Sequence, residues 1–352
     1  MKGMTETMGS RITAGVDTHL DTHVAAALDE RGGLLGVESF ETTPAGYGQL
    51  LGWLRGFGEV ELVGVEGTGS YGAGLTRHLH DEGVKVVEVD RPNRQRRRSR
   101  GKSDPQDAIS AARAAQSGDC AGEAKTRDGN VETMRVLRIA RNSARRSRTQ
   151  ALNQMRSIIS TAPDPIRAEL RDLNVYRMLE KTSAYRPRNR AEVAGGTRFV
   201  LRTLAKRAIS LEAEVKEIDS ILKDLVADTA PDLVARSGLG TDTTSALLVA
   251  AGDNPGRLRN EASFAHLCGV APIDANTGKQ QRRHRLNRGG DRQANSALWH
   301  IVITRMASDQ RTRAYINRRL GDGLTKKEAI RCLKRHIARE VYHHLPRPKP
   351  TP

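Results

Sequence analysis

Apolar and polar positions change in short runs over the first hundred residues and recur at steps of three and four beyond them. That is a passage from strand to helix periodicity. Residues 11–17 (Arg-Ile-Thr-Ala-Gly-Val-Asp) read as a strand ending in an acid, and residues 22–29 and 34–40 as two more, joined by the turn signal Arg31-Gly32-Gly33. Thr43-Pro44 opens a helix to about Arg55. Residues 60–66 form an apolar strand that again ends in an acid, Glu66. Gly67-Thr68-Gly69-Ser70 leads into another helix, and residues 84–89 are a last strand. In Gly-Lys-Ser-Asp-Pro-Gln-Asp-Ala (101–108), Pro105 stands where proline favours a helix start. Asp104 and Asp107, three apart, share one helical face.

Residues 119–130 are polar and glycine-bearing and read as a linker. Residues 131–160 read as a helix that carries no acid between Thr133 and Pro163 but has Arg135, Arg138, Arg141, Arg145, Arg146, Arg148 and Arg156. Many of these share one side, which makes it either a phosphate-facing helix or a solvated face. The pattern assigns no element to the proline-bearing stretch that runs to about Gly196. From 200 to 226, Leu201, Leu204, Ala208, Leu211, Val215, Ile218, Leu222 and Leu225 keep a heptad seam. It would pack either within the chain or against a second copy. Ser237-Gly238-Leu239-Gly240-Thr241 before an apolar helix reads as a helix-hairpin-helix or as a plain helix-helix turn. Further helices are expected at about 289–308 and 325–343, the latter opened by the capping box Thr325/Glu328. The organisation expected is an α/β domain (11–118), a helical coiled-coil region (130–228), a mainly α-helical C-terminal domain (229–345) and a disordered tail (346–352).

Charge alters this picture. The chain of 352 residues carries a formal +17, and from Lys279 onward 19 Lys and Arg face 5 Asp and Glu. Such a surplus points to a polyanion. Aromatic residues make up 3% of the chain, which argues against gripping single strands mainly by base stacking. Cys120, Cys268 and Cys332 lie too far apart for a zinc motif or a disulfide framework and suit a reducing cytosol. No apolar run reaches membrane-spanning length and no signal peptide is visible, so a cytoplasmic protein without a membrane partner is expected.

The order of three strands, helix, strand, helix, strand and acidic helix matches the ribonuclease H-like fold, which brings acids from the first strand, the fourth strand and a late helix together. Here these are Asp17, Glu66, Asp104 and Asp107. Clustered carboxylates raise one another's pKa unless cations neutralise them, and hard divalent ions do so. Taken singly, an Asp at a helix start is usually a cap or a dipole partner. Gly67-Thr68-Gly69 lacks the lysine and spacing of a P-loop.

Gly15-Val16-Asp17, Val65-Glu66-Gly67-Thr68-Gly69 and Lys102-Ser103-Asp104-Pro105-Gln106-Asp107-Ala108 resemble the three blocks of the insertion-sequence transposases with a RuvC-like Asp-Glu-Asp-Asp domain. These are the bridge-RNA-guided recombinases, related to the Piv invertases. Phe264-Ala265-His266-Leu267-Cys268-Gly269-Val270-Ala271-Pro272 and the stretch from Asn276 to Arg292 resemble the family's C-terminal domain. Thr277 stands there in place of the family's nucleophilic serine. A threonine hydroxyl can attack phosphorus, though its methyl crowds the approach, so either Thr277 is the nucleophile or this copy is impaired.

The resemblance implies Mg²⁺ (or Mn²⁺) on Asp17, Glu66, Asp104 and Asp107, and attack by Thr277. It also implies double-stranded donor and target DNA, a structured guide RNA, a homodimer assembling to a tetramer, and bacterial nucleoid association. Candidate nucleic-acid contacts are Lys102, Arg138, Arg141, Arg145, Arg148, Gly238, Gly240, Lys279, Arg282, Arg283, Arg285, Arg288, Arg292, Arg331, Lys334 and Arg335. Two other readings use the same residues. One is a RuvC-like nuclease or junction resolvase that activates water. The other is an inactive nucleic-acid-binding relic.

Overall fold

The computed structural model describes residues 10–89, 103–118, 122–274, 284, 285, 287 and 289–346. Lys102, the arginines from Arg94 to Arg100, Thr277, Lys279, Arg282, Arg283 and Arg288 lie outside the described residues, and of Arg285 the backbone alone is described. The chain divides into two compact units. One comprises Met1–Val131, Ala250–Gly290 and Leu345–Pro352, the other Glu132–Val249 and Asp291–His344.

The first unit is built on β1 (Arg11–Thr18), β2 (Thr22–Leu28), β3 (Leu34–Glu41), α1 (Pro44–Arg55), β4 (Glu59–Glu66), α2 (Ala73–Asp81), β5 (Val86–Val89), α3 (Asp104–Ser117) and β6 (Gly122–Glu123). The strands form one mixed sheet in the order β3-β2-β1-β4-β5-β6. β1, β2 and β3 are antiparallel, β1 runs parallel to β4 and β4 to β5, and β6 is antiparallel to β5. A mixed sheet with flanking helices fits the expected ribonuclease H-like domain. One difference is local: the stretch expected as a linker contributes β6 to the sheet edge, through pairs of Glu123 with Val87 and Gly122 with Glu88.

Side chains alternate across a strand, so the sheet has two different faces. Ala14, Val16, Ala25, Ala27, Val63, Val65 and Val86 bury against Leu50, Leu51 and Leu54 of α1 and Leu75 and Leu79 of α2. The opposite face belongs to α3, where Val24 and Ala26 pack on Ala108 and Ile109. Gly15 and Gly64, register partners on β1 and β4, floor that face. A Cβ on Gly15 would lie 2.0 Å from the Ala112 nitrogen and 2.3 Å from the Ala108 carbonyl oxygen, and one on Gly64 would lie 2.8 Å from the Ala111 oxygen. Helix backbone therefore rests on strand backbone. The buried face of α3 is correspondingly small: Ala108, Ala111, Ala112 and Ala115. The helix leaves extended Ser103, takes Pro105 in its first turn, and stops at left-handed Gly118 (φ 74°).

α4 (Asn130–Thr161), α5 (Asp164–Leu170), α6 (Val175–Ser183) and α7 (Val193–Thr229) follow. The proline-bearing stretch thus holds two short helices, the second capped by the Asn174 side chain. Leu201, Leu204, Ala205 and Ala208 of α7 are buried with Ala151, Leu152, Met155 and Ile159 of α4, so this half of the heptad seam is covered within the chain. Then come α8 (Pro231–Val234), α9 (Thr241–Ala251), α10 (Glu261–Leu267), and the short pair β7 (Ile273–Asp274) and β8 (His284–Arg285).

Three last helices, α11 (Arg292–Ser308), α12 (Gln310–Gly321) and α13 (Lys326–His343), pack together. The capping box at Thr325/Glu328 is formed. Asp309 ends α11 and caps α12, its carboxylate accepting from the Thr312 nitrogen and hydroxyl. Glu340 accepts from both terminal nitrogens of Arg305 (2.8 and 2.9 Å) and from Arg236 (3.3 Å). The Arg305 Nε donates to the Ser237 carbonyl (2.8 Å), which ties α13 and α11 to the loop before α9. Among the described residues no helix is long and apolar enough to cross a membrane.

Two expectations follow. Gly15→Ala forces a Cβ into helix backbone that cannot yield locally, so it should cost about 3 kcal/mol or more in urea unfolding, with Gly64→Ala milder. Equal, negligible effects would refute the close-contact account. The second concerns Glu340, whose carboxyl is held below its ordinary 4.5, first by hydrogen bonds from Arg305. A depressed native pKa contributes stability that is complete above the unfolded value and is lost as pH falls through the native one. Glu340→Gln should therefore lower stability by about 2 kcal/mol at neutral pH, and the gap to wild type should close as pH drops below 4.5. A gap independent of pH would contradict this.

Candidate metal centre and nucleic-acid contacts

The parallel register pairs Val16 with Val65, so the next residues, Asp17 and Glu66, stand side by side at the carboxyl ends of β1 and β4. Both lie on the face that α3 covers, and the first turn of α3 supplies Asp104 and Asp107. Asp17, Glu66 and Asp107 are buried (5%, 6% and 8% exposed), while Asp104 is half-exposed. The Thr18 hydroxyl donates to the Glu66 carbonyl (2.7 Å) and locks the two strand ends together.

His19, in the turn after β1, completes the cluster. Its Nε2 lies 3.2 Å from Asp17 Oδ2 and 3.4 Å from Asp104 Oδ1. One ligand atom from each of Asp17, His19 and Asp104 falls within 4.8 Å of the others. Burial raises the Asp17 pKa above its ordinary value; the nearby His19 opposes the rise, and Asp107 and Asp104 add to it. A buried carboxylate pressed by two others, beside an imidazole, suits a divalent ion. The sequence reading did not include His19. The available signal was its place two residues beyond Asp17, where a strand running on would return to the same face.

The candidate nucleic-acid residues divide. Arg145 and Arg292 are exposed, and Arg331 is exposed with Glu328 3.4 Å away. Arg148 is half-buried with its Nε 2.5 Å from Glu212, Lys334 donates to Asn295 (2.6 Å), and Arg335 is half-buried. Arg138 and Arg141 require a correction, since both are buried at 7% exposure. Arg138 donates to the Asp242 carboxylate and carbonyl and to the Ser245 hydroxyl. Arg141 reaches Asp219 (2.5 Å) and Asp242 (2.9 Å). A charge so desolvated persists because it is paired; these two hold α4 to α7 and α9 and do not face a phosphate. Gly238 is left-handed (φ 80°) and backs onto Arg305 and Ile301, whereas Gly240 faces open space. The acid Asp242 occupies the first turn of α9, where a bound phosphate would meet its charge.

Comparison with known proteins adds the remaining observation. A family profile described as a transposase (DEDD_Tnp_IS110) matches residues 14–163, the stretch that holds all four acids. A second profile, described as the transposase IS116/IS110/IS902 family, matches residues 233–317. Among curated proteins, the chain is similar to the "Insertion element IS110 uncharacterized 43.6 kDa protein" of Streptomyces coelicolor. The two are 26% identical over 139 residues, covering 39% of this chain and 34% of the relative, so the match spans about a third of that relative's length. Acids on two strand ends and a late helix, with both halves matched by profiles of one family, place the chain in the IS110 family of transposases.

Proposed function

We propose that the chain is a DNA transposase-recombinase that cuts and rejoins strands with a metal-holding acid cluster and a hydroxyl nucleophile. The observation that carries this is the convergence of Asp17, His19 and Asp104 within 4.8 Å, with Asp107 acting on the Asp17 charge and Glu66 on the adjoining strand end. Asp17, Glu66, Asp104 and Asp107 would hold Mg²⁺ or Mn²⁺, and the imidazole of His19 would favour Mn²⁺, because nitrogen ligands suit first-row transition ions better than Mg²⁺. When bound, the ion supplies charge neutralisation and polarisation of the scissile phosphate.

The Thr277 hydroxyl attacks phosphorus. Its oxygen–phosphorus bond forms as the bond to a deoxyribose oxygen breaks, the threonine proton passes to water, and the departing sugar oxygen takes one up from water. Attack by a second strand's hydroxyl on the phosphothreonine then restores Thr277 and joins the strands. Support for this pairing of acids and hydroxyl comes from the chain's organisation: β7 and β8, which flank Thr277 in sequence, belong to the same compact unit as the acids. The substrates are double-stranded donor and target DNA. Target choice rests with a structured RNA that pairs with both, and the active form is a dimer assembling to a tetramer at the bacterial nucleoid. The exposed Arg145, Arg292 and Arg331 are its backbone contacts, with Lys102, Lys279, Arg282, Arg283, Arg285 and Arg288 adding charge around the reacting strands.

The test is strand exchange with purified protein, Mg²⁺ or Mn²⁺, the RNA flanking its element, and matched donor and target DNA. A covalent protein–DNA adduct should form in wild type and vanish in both Thr277→Ala and Asp17→Ala. Cleavage without an adduct, lost in Asp17→Ala alone, would replace this reading with a water-activating nuclease. Nucleic-acid binding indifferent to loss of the acids, with no cleavage, would mark a relic.

The metal reading also carries a stability consequence. An ionised Asp17 is costly in the metal-free chain, so Asp17→Asn should raise its unfolding midpoint by about 2–4 °C and abolish Mn²⁺ binding in calorimetry. A lower midpoint with Mn²⁺ binding intact would contradict the assignment.

A further inference from the structure

The turn that follows Glu66 carries features the acid cluster does not use. Gly67 is left-handed (φ 69°), and its carbonyl accepts from the Ser70 and Gly72 nitrogens. Gly72 seats against Val65 and Thr18, with an added Cβ 2.9 Å from the Val65 side chain and 3.2 Å from the Thr18 methyl. The turn is therefore fastened to the two strand ends that bear Asp17 and Glu66. Its crest, Gly69-Ser70-Tyr71, is exposed, and Tyr71 shows 48% of its surface in a chain where aromatic residues are scarce.

Against this crest lies Arg127. A Cβ on Gly69 would come 2.9 Å from Arg127 Nη2 and 3.9 Å from its Cζ, so the guanidinium packs on the glycine. Arg127 has a left-handed backbone (φ 57°), which costs a non-glycine residue about 1 kcal/mol or more. The surrounding structure imposes it. Asn254 accepts from the Thr126 nitrogen (3.3 Å) and donates to the Ala124 carbonyl (2.9 Å). Asp253 accepts from the Val131 nitrogen (2.8 Å), and its carboxylate crowds Gly129. A strained backbone held from both sides so that a guanidinium packs on a glycine of the turn after Glu66 is suited to presenting that guanidinium to a phosphate.

We propose that Arg127 and Tyr71 form a nucleotide seat beside the acid cluster. The guanidinium takes a backbone phosphate of the DNA strand adjoining the cut, and the Tyr71 ring covers the neighbouring base. The proposal rests on the transposase reading and adds to it the residues that would fix the strand's register at the acids.

The experiment measures binding of the full chain to a short DNA duplex with a single-stranded end, with Ca²⁺ as the divalent ion, over a series of KCl concentrations. Loss of one phosphate contact lowers the slope of log affinity against log salt by about one. Arg127→Ala should show that loss. Arg127→Gly, which accepts the left-handed backbone, should show it too with an unchanged or raised unfolding midpoint, and Arg127→Lys should restore the slope. Tyr71→Ala should weaken binding by roughly tenfold at unaltered slope, with Tyr71→Phe close to wild type. An unchanged slope in Arg127→Gly, or full affinity in Tyr71→Ala, would overturn the seat and leave the transposase reading intact. A wild-type chain that binds no DNA at any salt would overturn both.

Discussion

The candidate site depends on one packing constraint, the absence of side chains at Gly15 and Gly64. Their register pairing opens a groove across β1 and β4, and α3 lies in it backbone on backbone. The distances then fix the chemistry. From the contact between Ala108 and Gly15, two residues of strand carry the chain about 7 Å to Asp17. Four residues back along the helix cover about 6 Å to Asp104. Because these advances match, the first turn of α3 arrives level with the strand ends. Side chains at Gly15 and Gly64 would lift the helix away and part its acids from those of the sheet.

The charge distribution obeys the same geometry. Asp104 and Asp107 sit in a helix's first turn, where the macrodipole favours negative charge. Asp17 has no such support: it is buried, pressed by both, and its proton affinity rises accordingly. Among the described residues His19 offers relief, and a divalent ion would give more. The rest of the chain is basic, but its cations are not equivalent. Arg138 and Arg141 are spent inside the helical unit on Asp242 and Asp219, while Arg145, one turn along the same helix from Arg141, is exposed. A helix with no acid after Glu132 therefore uses part of its charge to hold other helices and leaves part for a polyanion.

Much of this was legible in the sequence, and the remainder was not for identifiable reasons. Strand order, the acids and the Thr325/Glu328 box each rest on local signals: alternation, an acid at a strand end, a side chain three residues from its partner. His19 was missed because it lies one residue past the end of β1, where the alternation was not carried on. Arg138 and Arg141 were misread because their partners, Asp219 and Asp242, lie far along the chain, and an arginine stripe looks the same whether it faces water or distant carboxylates. β6 has two residues and exists through pairing with β5, and α5 and α6 are too short to show a period beside their prolines. The break between α11 and α12 was written in Asp309, which ends one helix and caps the next.

The sequence order of the two family matches is not the order of the compact units. Residues 250–290 lie within the second match, yet they belong to the unit that holds the acid sheet. They are also bound into it: Asp253 and Asn254 clasp the segment from Ala124 to Val131, and the half-exposed Arg257 donates to the Glu123 carbonyl behind β6. Asn287 and left-handed Gly290 close back on the end of α10, the glycine 2.6 Å, at its absent Cβ, from the Gly269 nitrogen. A chain that sends its later third back to finish its first domain cannot be read as separate modules on a string. Such interleaving puts segments of both family matches into one compact unit, so residues far apart in the chain complete the domain that carries the acid sheet.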